Sequence, residues 1–209
     1  MKHKALALVG ALAVASASGA QTIFYDNIQG FNNWATKSYY AIRGTNDAVP
    51  VRHAQSWFSG QTGTVHEITV GLQNKGLGAG SGTMSLLAAS GGLEPGALLE
   101  SLTFPGTPVL DSTNSLTVSG FNTNVTAGQM YWVLIEADPA SALAWKDRPD
   151  GLNSHQATQS GNPYGSWMTG SSMGRSLTVE GSVVPEPATI TALAAGALAL
   201  LRRRRSKPA

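Results

Sequence analysis

The stretch QMYWVLIEA, residues 129–137, decides the fold because its apolar residues stand at consecutive positions instead of alternating. A strand with one face in solvent alternates apolar and polar residues, whereas a strand covered on both faces is apolar throughout. We therefore predict that residues 129–137 form a central strand of a β-sandwich.

The segments on either side show the alternation expected of half-buried strands. In TVHEITVGL, residues 64–72, the alternation places Ile68, Val70 and Leu72 on one face. The same spacing groups Met84 with Leu86 and Ala88, Leu116 with Val118, and Leu177 with Val179.

The middle of the chain has no sustained helical periodicity, and Gly, Pro, Asn and Ser separate its strand-like segments. We predict an all-β fold, an antiparallel β-sandwich of about eight or nine strands with a jelly-roll-like arrangement. Residues 147–174 are rich in Gly, Ser and Asn and form the largest expected loop region. The alternative is that this region contains an extra hairpin.

Charge is distributed unevenly along the 209 residues. Seven of the 14 basic residues and 11 of the 12 acidic residues lie between Gln21 and Val184, so this region has a formal charge of −4 although the whole chain has +2. Nucleic-acid binding needs basic residues clustered on a folded face, and the sequence does not predict such a cluster. The chain contains no cysteine, which excludes disulfides, thiolate nucleophiles and cysteine-ligated zinc.

The first 20 residues have the order of a secretory signal peptide. Two lysines precede an apolar core at residues 5–15, and small residues follow. We predict export by the secretion machinery and cleavage by signal peptidase after Ala20, with Ala17 as the alternative site.

The C-terminal end predicts a membrane stop. Residues 188–201 carry no charge and favour a single short membrane helix, which four arginines follow, Arg202, Arg203, Arg204 and Arg205. Such a cluster halts translocation and keeps its own side in the cytoplasm. We therefore expect the middle domain, residues 21–182, to lie outside the inner membrane, tethered through residues 183–209.

The prolines before this helix form a stiff, extended spacer that exposes a carboxylate, since Pro185 and Pro187 flank Glu186. Val-Pro-Glu-Pro, a short apolar helix and an arginine cluster together resemble the PEP-CTERM sorting signal. The resemblance implies a Gram-negative, exopolysaccharide-producing bacterium and recognition by exosortase, a membrane cysteine protease or transpeptidase. It also implies that Pro185, Glu186 and Pro187 are the recognition element, while the alternative is an ordinary membrane anchor behind a chance Pro-Glu-Pro.

The middle region resembles the choice-of-anchor type of bacterial surface module, type R among its variants. The residues that carry this likeness are AQSWF at 54–58, HEITVGLQ at 66–73, SLLAASGGLEPGALLESL at 85–102, NVTAGQMYWVLIEAD at 124–138 and ALAW at 142–145. The resemblance implies a β-sandwich and assigns no catalytic residues.

The search for catalytic patterns gives no candidate. His66 precedes Glu67, but adjacent strand residues point to opposite faces. His53 approaches His66 only if their strands pair. The sequence lacks a Gly-x-Ser-x-Gly elbow, and no spacing singles out two of the scattered carboxylates. We expect no catalytic residues and no cofactor.

The segment WKDRPDGLNS, residues 145–154, offers a weak metal candidate. Asp147, Asp150 and Asn153 supply oxygen ligands of the kind calcium prefers, without the ligand pattern of an EF-hand. Because Asp-Gly is also a turn signal, a turn is the favoured interpretation and calcium the alternative.

The aromatic residues divide into two groups. Trp57, Trp132 and Trp145 are predicted to fill the core. Trp34, Tyr39 and Tyr40 precede the clear strands, and Tyr164 and Trp167 lie in the largest loop region. Rings flanked by Asn, Gln and Ser either stack on sugars or close the ends of the core, which makes Tyr164 and Trp167 candidate glycan contacts.

We expect a non-enzymatic protein that is exported, sorted by exosortase and kept in the cell envelope or extracellular matrix in a structural or adhesive role. The alternative is a carbohydrate-binding module that recognises exopolysaccharide, and a polysaccharide-active enzyme is the third candidate.

Overall fold

The computed structural model describes residues 21–28, 39–106, 114–147, 153–161, 163–184 and residue 196. Its strands form an antiparallel sheet that is curled into a half-barrel. Gln21–Ser182 is one compact unit. The predicted all-β, antiparallel class is confirmed.

The described part of the chain contains twelve strands. In chain order they are β1 (Gln21–Asp26), β2 (Tyr39–Arg43), β3 (Val51–Phe58), β4 (Gly63–Leu77), β5 (Gly82–Ala89), β6 (Pro95–Phe104), β7 (Asn114–Val125), β8 (Met130–Ala137), β9 (Ala142–Lys146), β10 (Asn153–Ser160), β11 (Met168–Met173) and β12 (Leu177–Val183).

The strands follow the order β1-β12-β4-β9-β2-β3-β8-β5-β6, with β7 paired to β4 and with β10 paired to both β3 and β11. The 15-residue β4 pairs with β7 over residues 63–72 and with β9 over residues 72–77, and β12 is also its neighbour in the sheet. Its register shifts between Asn74 and Leu77, where Gly76 has a φ of 81° and donates its N–H to the Asn74 side chain. A glycine bulge of this kind bends a strand and increases its twist, which helps the sheet to curl.

Glu100 links two strands that the sheet order separates. Its Oε2 accepts hydrogen bonds from the backbone N–H of Asn122, at 2.8 Å, and from the hydroxyl of Thr123, at 2.6 Å. These contacts join β6, at one end of the strand order, to β7 and support the curled shape.

The structure confirms that β8 is a central strand covered on both faces. It pairs with β3 on one side and β5 on the other, and residues 131–135 are all buried. Val133 and Ile135 share one face with Trp57 of β3. The opposite face carries a cluster of Ala54, Leu87, Trp132, Leu134 and Ala157.

The predicted alternation in the outer strands is also confirmed. Ile68, Val70 and Leu72 are buried along β4, as are Leu177 and Val179 along β12. Met84 and Leu86 are buried in β5, although Ala88 is half-buried.

The prediction of eight or nine strands was too low. β10, with the sequence NSHQATQS, and β11, with MTGSSM, contain almost no apolar residues, so they lack the alternation by which strands are predicted. Their pairing confirms a hairpin within residues 147–174. The jelly-roll sandwich and the domain boundaries at residues 20 and 183 stay predictions.

Candidate functional site

Three neighbouring strands place polar residues in one row on the face that carries Trp132. The register between β3 and β10 sets Arg52 opposite Gln159, and the register between β3 and β8 brings Glu136 beside Arg52. Arg52 Nε donates to Gln159 Oε1 at 2.7 Å, and Arg52 Nη1 donates to Glu136 Oε1 at 2.6 Å. Planar guanidinium groups favour such paired, directional contacts.

Two aromatic rings from the connection between β10 and β11 complete this site. The guanidinium carbon of Arg52 lies 4.4 Å from the ring centre of Tyr164 and 5.4 Å from that of Trp167. Both distances are within the range of cation–π attraction. The Gln159 side chain donates to the carbonyl of Gly165 at 2.9 Å and so holds the connection in place. We call Arg52, Glu136, Gln159, Tyr164 and Trp167 the Arg52 cluster.

The Arg52 cluster is half-buried and rests on the small apolar core of this face. Trp167 packs against the cluster that contains Trp132 and Leu134. Burial raises the pKa of Tyr164, and Glu136 raises it further while Arg52 opposes the shift. The phenol therefore stays protonated, and the site offers a hydroxyl donor, a carboxylate and partly exposed rings to a polar ligand.

A second polar cluster is fully buried. Arg175, just before β12, is 1% exposed and donates to Asp147 Oδ1, to Gln156 Oε1 and to the carbonyl of Met173. The ring of Tyr40 lies over its guanidinium group, 3.2 Å from carbon to ring centre. Burial lowers the pKa of Arg175, and the Asp147 carboxylate opposes that shift. This ion pair joins β12 to the end of β9 inside the domain.

The structure gives Asp147 an internal partner instead of an open ligand position. Its side chain is 0% exposed and is committed to Arg175. Asp150 lies outside the described residues, and Asn153 begins β10 opposite Met173. Within the described ranges no group of three His, Asp or Glu residues is arranged to hold a metal ion. The calcium set as a whole stays a prediction, but Asp147 is a structural residue.

The two histidines considered as a pair lie on strands that do not pair with each other, because β3 pairs with β2, β8 and β10. His53 Nδ1 is hydrogen-bonded with the Thr158 hydroxyl at 2.8 Å, and the ring lies edge-on to Tyr40. His66 donates from Nδ1 to the carbonyl of Phe121 and accepts at Nε2 from the Ser182 hydroxyl, at 2.9 Å. Both rings have structural partners.

The predicted core role of three tryptophans is confirmed, while the glycan-contact role of Tyr164 and Trp167 stays a prediction. Trp57, Trp132 and Trp145 are 1% exposed or less. Tyr164 and Trp167 lie together at the Arg52 cluster, whereas Tyr40 covers Arg175. Trp34 and the side chain of Tyr39 lie outside the described residues.

Sequence reasoning did not find Arg52 or Arg175. Each is an isolated basic residue in or beside a strand, and no spacing marks it. The aromatic pair in a Gly-rich loop was the available sequence signal for the Arg52 cluster. It indicated Tyr164 and Trp167 but not Arg52.

The predicted sorting residues Pro185, Glu186 and Pro187 and the arginines 202–205 lie outside the described residues. So does the predicted membrane helix at residues 188–201, except for residue 196. Among the residues that the structure does describe, none belongs to a helix with the length and apolar character needed to span a bilayer.

Comparison with protein families places a signal at this end of the chain. Residues 183–205 match the family model of the PEP-CTERM protein-sorting motif. The match does not extend into residues 21–182, so the choice-of-anchor resemblance stays a prediction. A search of curated proteins found none that matches this chain. The chain therefore carries a PEP-CTERM protein-sorting motif at residues 183–205, which implies an exported protein that is anchored at the membrane and processed by exosortase.

Proposed function

We propose that the β domain has a structural or adhesive role, without enzymatic activity, in the cell envelope or extracellular matrix of an exopolysaccharide-producing bacterium. The observation that carries the proposal is the sorting motif, which directly follows a strand-built unit spanning Gln21–Ser182. An exosortase substrate is delivered outside the cytoplasm, where a compact β domain serves as a surface or matrix component. The finer architecture that we propose is the jelly-roll-like sandwich of choice-of-anchor modules.

The environments of the buried polar residues support a structural role. Three buried polar side chains each form a hydrogen bond to a side chain from another segment of the sheet: His53, Asp147 and Arg175. A general acid or base needs a reacting proton within hydrogen-bond reach, whereas these side chains bind neighbouring protein groups. We propose that they fasten the fold.

Topology is part of the proposal. We propose that residues 188–201 form a single helix in the inner membrane before processing and that the arginines 202–205 stay in the cytoplasm. Signal peptidase and the secretion machinery would act first and exosortase second.

A second candidate function is recognition of exopolysaccharide at the Arg52 cluster. Tyr164 and Trp167 are two partly exposed rings beside a carboxylate and a guanidinium group. The apolar face of a sugar ring stacks on aromatic side chains, while its hydroxyls bind polar groups nearby. This geometry favours the carbohydrate-binding alternative over an enzyme.

One experiment separates these functions. The purified domain, residues 21–182, is incubated with exopolysaccharide from the producing bacterium, and both retention of the protein and polymer length are measured. A structural role predicts neither tight retention nor shorter polymer. Carbohydrate binding predicts retention that Tyr164→Ala weakens about fivefold or more, since a stacked ring contributes about 1 kcal/mol or more.

Phe58→Ala is the matched control, because Phe58 is an exposed aromatic residue of β3 outside the Arg52 cluster. It should leave retention unchanged. Retention that both variants weaken equally would contradict a site at the Arg52 cluster, and shortened polymer would contradict the non-enzymatic proposal.

A further inference from the structure

The sorting motif and the folded sheet overlap. The motif match begins at residue 183, which is also the last residue of β12. One residue, Val184, separates the end of this strand from Pro185. In the sequence, the recognition element therefore follows the last strand with a single residue between them.

The strand that ends at the motif lies inside the sheet. β12 lies between β1 and β4, and β1 is the terminal strand of the sheet order. Gln21 of β1 is the Cα partner of Ser182, and Thr22 is the partner of Gly181. The N-terminal strand thus covers the strand that leads to the motif.

Side chains fasten the last residues of β12 on both sides. The Ser182 hydroxyl binds His66 of β4 at 2.9 Å. Gln21 Nε2 donates to Glu180 at 2.7 Å and to Glu67 at 3.0 Å, which ties together β1, β12 and β4.

Backbone packing at Gly181 is equally close. A Cβ atom at this position would lie 1.9 Å from the carbonyl oxygen of Thr64 and 2.8 Å from the ring of Phe24. The strand end is therefore held by close contacts with β4 and β1, not only by its hydrogen-bond ladder.

A protease binds its substrate as an extended chain whose backbone groups are free to pair with the enzyme. The backbone of β12 already pairs with β1. We propose that the segment bound by exosortase extends back into β12, so that processing requires residues 181 and 182 to separate from β1. β1 then acts as a clasp that controls access to the sorting motif, an inference that rests on exosortase processing of this chain.

A disulfide across the clasp tests the inference in the full-length chain, expressed in cells that contain exosortase. Cα partners in an antiparallel ladder lie about 4.5 to 5.5 Å apart, within the span of a disulfide. The chain has no cysteine, so Gln21→Cys with Ser182→Cys introduces a single bridge, which forms in the oxidising compartment. Because cleavage follows the population of the open form, the fraction of processed protein should fall at least about tenfold.

The matched control is Thr69→Cys with Thr117→Cys, a pair of Cα partners in the β4–β7 ladder. It adds the same two residues to the same sheet but leaves the β1–β12 ladder unbridged, so it should process like the wild type. Intact mass reads the processed fraction and verifies that the mature N-terminus is unaltered.

A flexible four-residue Gly-Ser spacer after Val184 gives a second measurement that does not depend on the disulfide. It moves the motif away from β12, so processing should become faster than in the wild type and should recover in the bridged variant. That recovery also shows that the bridge itself does not prevent export or exosortase recognition.

Two results would overturn the inference: a bridged variant that is processed at the wild-type rate, or a spacer that changes nothing in either chain. A wild-type chain that keeps residues 185–209 would overturn the exosortase assignment itself, and the clasp with it. The two kinds of failure are distinguishable, because failure of the exosortase assignment appears in the wild-type chain without any substitution.

Discussion

At the scale of single residues, the buried Asp147–Arg175 ion pair carries a large desolvation cost. Both side chains are at most 1% exposed, and the second oxygen of Asp147 and Nε of Arg175 have no hydrogen-bond partner in the described structure. Removing two charges from water costs several kcal/mol per ion, which mutual attraction only partly returns. Removing one partner alone should therefore lower the free energy of unfolding strongly, because the other charge stays buried without its partner.

We expect Asp147→Ala to lower the free energy of unfolding by about 3 to 5 kcal/mol, because it leaves a buried guanidinium group without its carboxylate. Urea denaturation of the domain measures the change. Arg43→Ala is the control, since the Arg43–Asp47 pair is exposed and should contribute less than about 1 kcal/mol. Equal effects of the two substitutions would contradict a structural role for Asp147.

His53 predicts a pH dependence of stability. The pKa of His53 is lowered from 6.5 to about 4, chiefly by burial and also by nearby Arg175, while a hydrogen bond with the Ala41 backbone opposes the shift. Between these two pH values the unfolded chain binds more protons than the folded domain, so stability decreases as the pH falls. The loss at pH 4 is about 3 kcal/mol relative to neutral pH.

His53→Gln should remove that part of the pH dependence, because the amide stays neutral throughout. Denaturation midpoints measured from pH 7 to pH 4 in both proteins isolate the His53 contribution, since the carboxylates are common to them. Parallel curves for the two proteins would contradict the assignment.

At the scale of strands, Gly181 sets how closely β12 approaches β4. We expect Gly181→Ala to destabilise the domain by about 2 kcal/mol or more, because its Cβ would overlap the backbone of Thr64. In Gly170→Ala, on β11, the new Cβ would have no heavy atom within 4 Å, so this matched substitution should be nearly neutral. Chemical denaturation compares the two, and a neutral Gly181→Ala would mean that β12 lies farther from β4.

The strands differ in how well the sequence predicts them, for a physical reason. Residues 129–137 and 64–72 bury apolar side chains, and burial leaves a periodic pattern in the sequence. β10 and β11 are held by backbone pairing and polar contacts, which leave no periodic pattern of apolar residues in the sequence. The hairpin that brings Tyr164 and Trp167 over Arg52 could therefore be predicted only as one option within a loop region.

The residues of the candidate sites also differ in how well the sequence predicts them. The aromatic pair was visible in the sequence, whereas its partners Glu136 and Gln159 come from strands distant along the chain. Asp147 looked like a metal ligand because its partner Arg175 is 28 residues away. Long-range pairing of isolated charges leaves no local signal.

At the scale of the whole molecule, the chain combines a folded β domain with a sorting signal. Gln21–Ser182 specifies a packed sheet, and residues 183–205 specify a destination. The strand order joins them, because β1 and β12 bring the two ends of the compact unit together in one ladder. The sequence predicted the destination directly, since a sorting signal is read as a linear segment.

The central claim, that exosortase processes this chain through its Pro-Glu-Pro element, is tested most directly by intact mass spectrometry of the protein recovered from the producing cells. The wild type should lack the C-terminal segment that contains the arginines 202–205, and Glu186→Ala should insert in the membrane but retain that segment. Identical mature ends in wild type and Glu186→Ala would contradict the claim.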